Sequence, residues 1–343
     1  LRSRILLQRG TVNPDDLNPV PVSVGIDGRD RGGLYLGRKL PLISNGRSRL
    51  SITPQYFIAR AFSNDSSSPI DAKNFGLTTD FSAELTPRTT LSGSADITSF
   101  DLSEFTENLR TDIGIEQRIS AHRLALQYSY RERLFNGSLG FQDVQSSLGA
   151  VLLSPDIRLN DNGLRLTYQA GAQLINAEPD RQDLLLANGS DTGRITLGRY
   201  QASAALRQGI NLWRGTPKPA TQEEGLRFTP SPVVPFLNLN AGLRATGTYY
   251  SSDDFQNNLI ADVNLIGQFG HLSRIFVDYT RFRIGYARSF LGEESSPFLF
   301  DRTVDRNILS LGLNQQIYGP FIAGFKTSVK LSSDRDINTI YSL

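Results

Sequence analysis

Eight arginines of this chain occupy positions that share the polar side of a predicted β-strand. Arg110 and Arg118 have the same parity within one strand, and so do Arg123 and Arg131 within the next. Because successive side chains of a strand point to opposite faces, equal parity places both guanidinium groups on one surface. Guanidinium forks bind phosphates and carboxylates through paired hydrogen bonds. The pattern predicts a polar surface that can bind anions, carried by Arg110, Arg118, Arg123, Arg131, Arg165, Arg244, Arg281 and Arg283.

Acidic residues interleave with these arginines and leave a second interpretation open. They are Asp80, Glu84, Asp96, Asp112, Glu116 and Asp262. Opposite charges on neighbouring strands form cross-strand pairs that brace a sheet. The arginines can therefore meet an anionic glycolipid head group, or they can pair with these carboxylates.

Catalytic chemistry has little support in the sequence. The two histidines, His122 and His271, form no metal-spaced pair, and no HExxH or GxSxG motif occurs. There is no cysteine, which excludes disulfides, thiol chemistry and thiolate metal sites. We predict that the protein is not an enzyme, with no catalytic residue, no metal and no cofactor.

The elements that carry these residues are strands with one apolar and one polar face. Alternation with period two runs through 75–85, 164–174, 237–249, 259–269 and 321–331. Repeated segments of about ten residues, apolar on one face and polar on the other, are typical of outer-membrane β-barrels. An arginine facing lipid at mid-membrane costs about 2–4 kcal/mol, so the polar faces are expected to line a lumen.

Composition agrees with this class of protein. The 343 residues are 39% hydrophobic, and no apolar run is long enough for a transmembrane helix. A net charge of +2 gives no support for nucleic-acid binding. We therefore expect an all-β protein, a transmembrane antiparallel β-barrel in the cell outer membrane.

Roughly sixteen strands are expected, and the barrel is expected to be incomplete at the C-terminus. Residues 1–19 lack sustained alternation and are interpreted as a linker or the tail of a preceding periplasmic domain, and 20–343 as the barrel. The expected strands are 20–26, 34–42, 48–61, 75–85, 90–100, 108–119, 122–132, 138–152, 163–176, 193–208, 234–250, 257–270, 274–288, 307–317, 320–332 and 336–343.

The alternation also predicts which side chains face lipid and where the loops lie. Arg110, Arg165, Gln169 and Arg244 should point inward, and an outward set should face lipid: Leu77, Phe81, Leu166, Tyr168, Leu239, Val263 and Phe325.

Barrels of this class have long loops at one rim. Four longer connections should share that rim, and one should fold over the mouth to bury Trp213 and Phe298–Phe300: 62–74, 177–192, 209–233 and 289–306.

Prolines interrupt the first three expected strands at Pro21, Pro41 and Pro54. Proline cannot donate a ladder hydrogen bond and belongs at edges or bulges. Weak pairing in the first strands would leave a weak boundary between the first and last strands of a closed barrel. The prolines can equally be ordinary strand starts or bulges.

Two stretches near the start of the chain resemble the opening of the barrel in lipopolysaccharide-assembly outer-membrane proteins of the LptD type, also called organic solvent tolerance proteins. These stretches are Leu34–Ile43 and Ser51–Arg60. The resemblance is clearest over about 20–150 and is nearest to the divergent cyanobacterial branch. It implies a translocon that receives lipopolysaccharide from a periplasmic bridge and releases it sideways. By the same resemblance, Pro21 and Pro41 loosen a lateral gate between the first and last strands.

The resemblance also implies partners: lipopolysaccharide or a related glycolipid, membrane lipids, the periplasmic bridge protein of lipopolysaccharide transport and a plug lipoprotein, with no nucleic acid. A general porin or solute channel is the alternative function, favoured by inward-folded loops and a fully paired wall. A barrel hydrolase is a third hypothesis, which requires a His–Ser or His–Asp contact at one rim.

Overall fold

The computed structural model describes residues 3–6, 22–27, 33–62, 70–136, 140–188, 193–217, 233–273, 277–294, 296–303, 305–318, 321–331 and 335–342. Within these residues the chain is almost entirely β-structure. Its strands are β1 (Ser3–Leu6), β2 (Val22–Asp27), β3 (Gly33–Arg38), β4 (Leu40–Ser44), β5 (Ser48–Phe57), β6 (Phe75–Thr86), β7 (Thr89–Ile97), β8 (Leu109–Ile119), β9 (His122–Asn136), β10 (Gly140–Leu153), β11 (Ile157–Arg158), β12 (Leu164–Ala177), β13 (Ile195–Arg214), β14 (Phe236–Tyr250), β15 (Phe255–Ser273), β16 (Val277–Glu294), β17 (Asn307–Tyr318), β18 (Phe321–Lys330) and β19 (Arg335–Ser342).

Helical segments are short and lie in the connections between strands. They are α1 (Ile58–Ala61), α2 (Phe105–Asn108) and α3 (Gln182–Asn188), with 3₁₀ turns at Ala72–Asn74, Leu102–Glu104 and Leu299–Asp301. The expected strand 48–61 therefore ends at Phe57, where α1 begins. In the part of the chain that the structure describes, no helix has the length and apolar character needed to cross a membrane.

The strands form one sheet in which chain neighbours pair antiparallel. From β5 onward each strand pairs with the next, with one exception. β10 pairs with β12, and the two-residue β11 pairs with residues near the start of β12. At the start of the series β2 pairs with β3, and β3 and β4 lie end to end along β5. With β3 and β4 counted as one interrupted strand, and β1 and β11 left aside, the sheet has sixteen antiparallel strands. The expected all-β fold of roughly sixteen strands is confirmed.

The first and last members of this series do not pair directly. Across the described residues β2 and β19 share no residue pair, and the four-residue β1 lies between them. β1 runs parallel to β19, and its one described pair with β2 joins Leu6 to Gly25. The series therefore does not close on itself by pairing of β2 with β19. We call this boundary, formed by β2, β1 and β19, the seam; part of the expected linker 1–19 thus belongs to the sheet.

One connection, between β16 and β17, reveals the curvature of the sheet. Asn136 at the end of β9 donates hydrogen bonds to the carbonyl oxygens of Leu299 and Arg302, at 2.5 and 2.9 Å. Gln256 of β15 donates to the carbonyl oxygen of Asp301 at 2.7 Å. Because β10 and β12–β14 separate β9 from β15 in the sheet, the sheet must bend around this connection. The curvature is consistent with a β-barrel, and we call the face that meets residues 296–303 the inner face.

The inner-face assignment extends to the other strands through their pairing, because residues directly opposed in neighbouring strands point to the same face of the sheet. Asp301 borders the same cavity as Asp112 and Ser94, and Ser94 is paired with Asp80. These residues therefore belong to the inner face. The same reasoning places every residue of the predicted inward and outward sets on its expected side.

The two faces differ sharply in charge. Along β6, β8, β12 and β14, whose residues are all described, no outer-face position holds an acidic or basic residue. Large apolar side chains are instead exposed on the outer face, where Leu148 of β10 and Leu174 of β12 are each 56% exposed. An outer surface of this kind is suited to a hydrocarbon environment.

Loop placement agrees with the sequence only in part. Because strands alternate in direction, the connections after β5, β12 and β16 lie at one end of the sheet, which we call the first rim. The connection between β13 and β14, residues 215–235, lies at the opposite end, the second rim. The prediction that all four long loops share one rim is therefore wrong for this connection. The error arose because 177–192 and 209–233 follow consecutive strands, β12 and β13, which are antiparallel and therefore end at opposite rims.

Candidate functional site

The inner face near the first rim is occupied by residues 296–303. Phe298 has no exposed surface and packs among buried side chains of β10, β12, β13 and β14, which include Val144, Ile175 and Leu197. Its ring lies 6.0 Å from that of Tyr250 and 5.0 Å from that of Phe300, measured between centroids. The prediction that a long loop folds inward to bury this aromatic segment is confirmed.

Polar contacts fix the same segment to the wall. Arg199 of β13 donates to both carboxylate oxygens of Asp301, from Nε at 2.6 Å and from Nη2 at 2.7 Å. Tyr250 donates its hydroxyl proton to Asp301 at 2.5 Å. The Arg199 and Asp301 side chains are only 13% and 14% exposed. A bidentate pair this shielded from water holds the loop in one position.

Further contacts extend this attachment along the segment. Asn258 donates to the Thr303 hydroxyl at 2.9 Å, and the Arg302 guanidinium lies 2.6 Å from the carboxylate of Asp180. Lys330 of β18 lies 3.3 Å from the carboxylate of Asp305. Residues 296–305 are thus tied to strands on both sides, and they narrow the space enclosed by the sheet.

A polar cavity of about 700 Å³ lies between this segment and the wall formed by β7–β10. It is bordered by the carboxylates of Asp96, Asp112 and Asp301 and by the guanidinium groups of Arg110 and Arg199. Charges of both signs line it, and hydroxyl groups join them: Ser94 and Thr78 donate to Asp112 and Asp96, respectively. This part of the inner face is a hydrogen-bonded network that contains charges of both signs.

The predicted arginines differ in their surroundings. Several are held by other groups: Arg123 lies 3.4 Å from Glu116, Arg165 lies 2.6 Å from Asp156, and Arg131 donates to the carbonyl oxygen of Thr106. Arg131 has a φ of 54° and no opposed residue among the β9–β10 pairs, so the alternation that would place it on the same face as Arg123 is broken at this residue.

The remaining predicted arginines line open parts of the inner face. Arg244 and Arg283 border a recess of about 340 Å³, together with Arg207, which the sequence analysis had overlooked. Arg281 and Arg283 border an adjoining recess of about 460 Å³. Arg118 lies on the inner face of β8, opposite Arg123. Parity could have identified Arg207, because it has the same parity in β13 as Gln201 and Ser203.

Of the two gate prolines, only Pro41 can be placed. It lies opposite Ser51 of β5, and the β4–β5 register shifts between Pro41 and Ile43. β4 has a described neighbour only on the β5 side. Pro21 lies outside the described residues. Pro41 is thus a strand residue next to a bulge, one strand away from the seam.

The histidine that can be placed does not form a catalytic pair. The Nε2 atom of His122 lies 2.8 Å from the hydroxyl oxygen of Tyr168, on the outer face near the second rim. The side chain of His271 lies outside the described residues.

Aromatic side chains on the outer face gather toward the two rims. Near the first rim the rings of Tyr200 and Tyr249 are 6.2 Å apart. Near the second rim Trp213 stacks on Phe269 at 6.0 Å, and Phe269 stacks on Phe282 at 5.9 Å. Such rings at two levels resemble the aromatic girdles of membrane barrels. Trp213 is 47% exposed, so the prediction that it is buried by a loop is wrong.

Taken together, these features define an all-β protein with one curved antiparallel sheet, a charged inner face and an apolar outer face. Residues 2–343 match the family described as "Protein of unknown function (DUF3769)", and the chain belongs to this family. A comparison with curated proteins found no match.

Proposed function

We propose that the protein is an outer-membrane β-barrel that delivers lipopolysaccharide, or a related glycolipid, to the outer leaflet. Its location is supported by the outer-face positions of β6, β8, β12 and β14, which hold no charged residue, and by the outer aromatic groups near both rims. Strands of 14 to 20 residues from β12 to β16 exceed the roughly 9–11 residues that a tilted strand needs to cross a bilayer.

The observation that carries the translocon proposal is the seam. The described pairing between β1 and β2 is one residue pair, whereas β2 and β3 are paired from Val22 to Asp27. Each backbone group left unpaired in hydrocarbon costs several kcal/mol. An amphiphile therefore passes sideways through the wall most easily where few backbone pairs must open. We therefore assign the lateral exit to the seam. A periplasmic bridge protein and a plug lipoprotein are the partners implied by this role.

The absence of cysteine from the chain allows a direct test. Leu6 and Gly25 would both be replaced by cysteine to lock the seam with a disulfide. Asn176→Cys with Thr196→Cys is the matched control, because these residues face each other across β12 and β13 with Nδ2 of Asn176 2.8 Å from Oγ1 of Thr196. Surface labelling of glycolipid should fall only in the seam-locked protein, and a reducing agent should restore it. Normal export by the locked protein would contradict the proposal.

A general porin is the second candidate, and the inward-folded segment 296–303 favours it. Inserted loops of this kind set the pore size of a solute channel, whereas the incomplete pairing at the seam favours the translocon. Liposome swelling separates the two functions. A porin should admit small sugars at the same rate whether or not the seam disulfide is formed, and its depletion should leave surface glycolipid unchanged.

A further inference from the structure

The recess bordered by Arg207, Arg244 and Arg283 concentrates three arginines on a small part of the described inner face. We call it the arginine recess. It is formed by adjacent strands from β13 to β17, and it has a volume of about 340 Å³. The bordering side chains that carry a charge at neutral pH are these three arginines and one carboxylate, Asp262. At neutral pH the recess therefore carries an excess of two positive charges.

The carboxylate in the recess is already engaged. Asn264 donates from Nδ2 to Asp262 at 2.7 Å, and the amide oxygen of Asn264 accepts two hydrogen bonds from Arg283 at 2.9 and 2.7 Å. These contacts leave Arg207 and Arg244 without a salt bridge to any described residue. By contrast, Arg165 and Arg199 each have a carboxylate at 2.6 Å.

Two glycines keep the recess open. A Cβ atom at Gly242 would collide with the carboxylate of Asp262, and one at Gly285 would lie 2.5 Å from Oδ1 of Asn264. The absence of these side chains lets Asp262 and Asn264 lie along the wall rather than project from it. The guanidinium groups therefore border an unobstructed polar space.

From this geometry we propose that the arginine recess binds phosphate groups. Guanidinium groups match phosphate oxygens in bidentate geometry, and two of the three, Arg207 and Arg244, form no salt bridge with a described residue. The adjoining recess, bordered by Arg281 and Lys326, shares Arg283 with it and extends the positive surface. A ligand with more than one phosphate can contact both recesses. The inference deepens the proposed function, since a phosphorylated glycolipid is one source of such groups and a free phosphate ester is the other.

The test is calorimetric titration of the detergent-solubilised full chain with two probes, inorganic phosphate and a dispersed bis-phosphorylated glycolipid. Arg207→Gln with Arg244→Gln removes the unpaired charges. Arg49→Gln is the control, because Arg49 is an exposed arginine of β5 that lies on the inner face away from the recess. Circular dichroism and the unfolding midpoint establish that each variant is folded.

Phosphate affinity should fall at least tenfold in the double variant and change less than twofold in the control. Tighter binding of the glycolipid than of inorganic phosphate, lost in the double variant, assigns the site to lipid-borne phosphate, and equal binding assigns it to free phosphate esters. Absence of binding to the parent chain, or equal binding by parent and double variant, overturns the inference. The seam-disulfide experiment does not depend on this binding, so failure here leaves the translocon proposal standing.

Discussion

Arg199 and Asp301 are 102 residues apart in the sequence and form a two-pronged ion pair inside the curved sheet. The pair joins a wall strand to the segment 296–303, and Tyr250 donates a third hydrogen bond to the same carboxylate. Because both charges are largely hidden from water, each depends on the other for its solvation. The position of the segment over the inner face should therefore depend on this contact.

Replacing Asp301 with asparagine should release the segment. The change leaves Arg199 nearly buried without a counter-charge, which costs on the order of 3 kcal/mol. We expect faster amide hydrogen exchange across 296–303, with little change in the central residues of β13. Asp253→Asn is a suitable control, since Asp253 lies in an exposed turn and accepts its hydrogen bond from Tyr249. Unchanged exchange in the Asp301 variant would show that the apolar contacts alone hold the segment.

Truncating Phe298 should widen the space enclosed by the inner face of the sheet. The side chain is fully buried, and removing a buried phenyl ring costs about 3–5 kcal/mol. We expect the segment to detach at this cost rather than the whole sheet to unfold, because its other contacts are local. Single-channel conductance in planar bilayers should rise for Phe298→Ala. Phe290→Ala, on the outer face and 46% exposed in the parent chain, should leave conductance unchanged.

The sequence predicted the strands well because alternation and turn residues act locally. Asn162-Gly163 is a dipeptide typical of tight turns, and Gly163 has a φ of 87° between β11 and β12. Alternation alone could not stop the strand at Phe57, because the helical turn α1 follows without a proline or glycine. Nor could it find the pairing of Arg199 with Asp301, which depends on how the sheet curves. Alternation along β13 indicates that Arg199 lies on the inner face, but it does not indicate which carboxylate pairs with it.

Two outer-face glycines should respond differently to alanine. A Cβ atom at Gly267 would lie 2.5 Å or less from two atoms of the Phe282 ring, whereas one at Gly247 would meet only the Phe255 ring at 3.9 Å. Displacing a packed ring typically costs about 1–3 kcal/mol. Urea unfolding of the protein refolded into vesicles should show this loss for Gly267→Ala and almost none for Gly247→Ala. Equal stabilities would show that Phe282 moves aside without cost.

Acidification should loosen the 3₁₀ turn Leu102–Glu104 at the first rim. The Asp101 carboxylate accepts hydrogen bonds from the hydroxyl of Ser103 at 2.6 Å and from its backbone amide at 3.0 Å. The hydroxyl hydrogen bond is the main cause that lowers the pKa of Asp101 below its ordinary value of 3.8. A lowered folded-state pKa means that the contribution is complete above 3.8 and is lost as the pH falls through the lowered value.

Amide exchange at Ser103, corrected for its intrinsic pH dependence, measures this loss. Protection should be constant above pH 3.8 and fall below it in the parent chain. Asp101→Asn should show no such step, because an amide can still accept the hydrogen bonds but does not titrate there. A step of the same size in both chains would assign the change to another group.

The gate prolines provide a separate test of the seam. Replacing Pro41 of β4 and Pro21, which precedes β2 in the sequence, with alanine restores two backbone donors and should strengthen pairing near the seam. We expect glycolipid export to slow while the heat-modifiable folded form on gels is retained. Pro54→Ala is the matched control, because Pro54 lies opposite Leu77 in the next strand pair, farther from the seam. If the double variant exports at the parental rate, or if Pro54→Ala slows export equally, the prolines do not set the ease of opening at the seam and the porin proposal gains support.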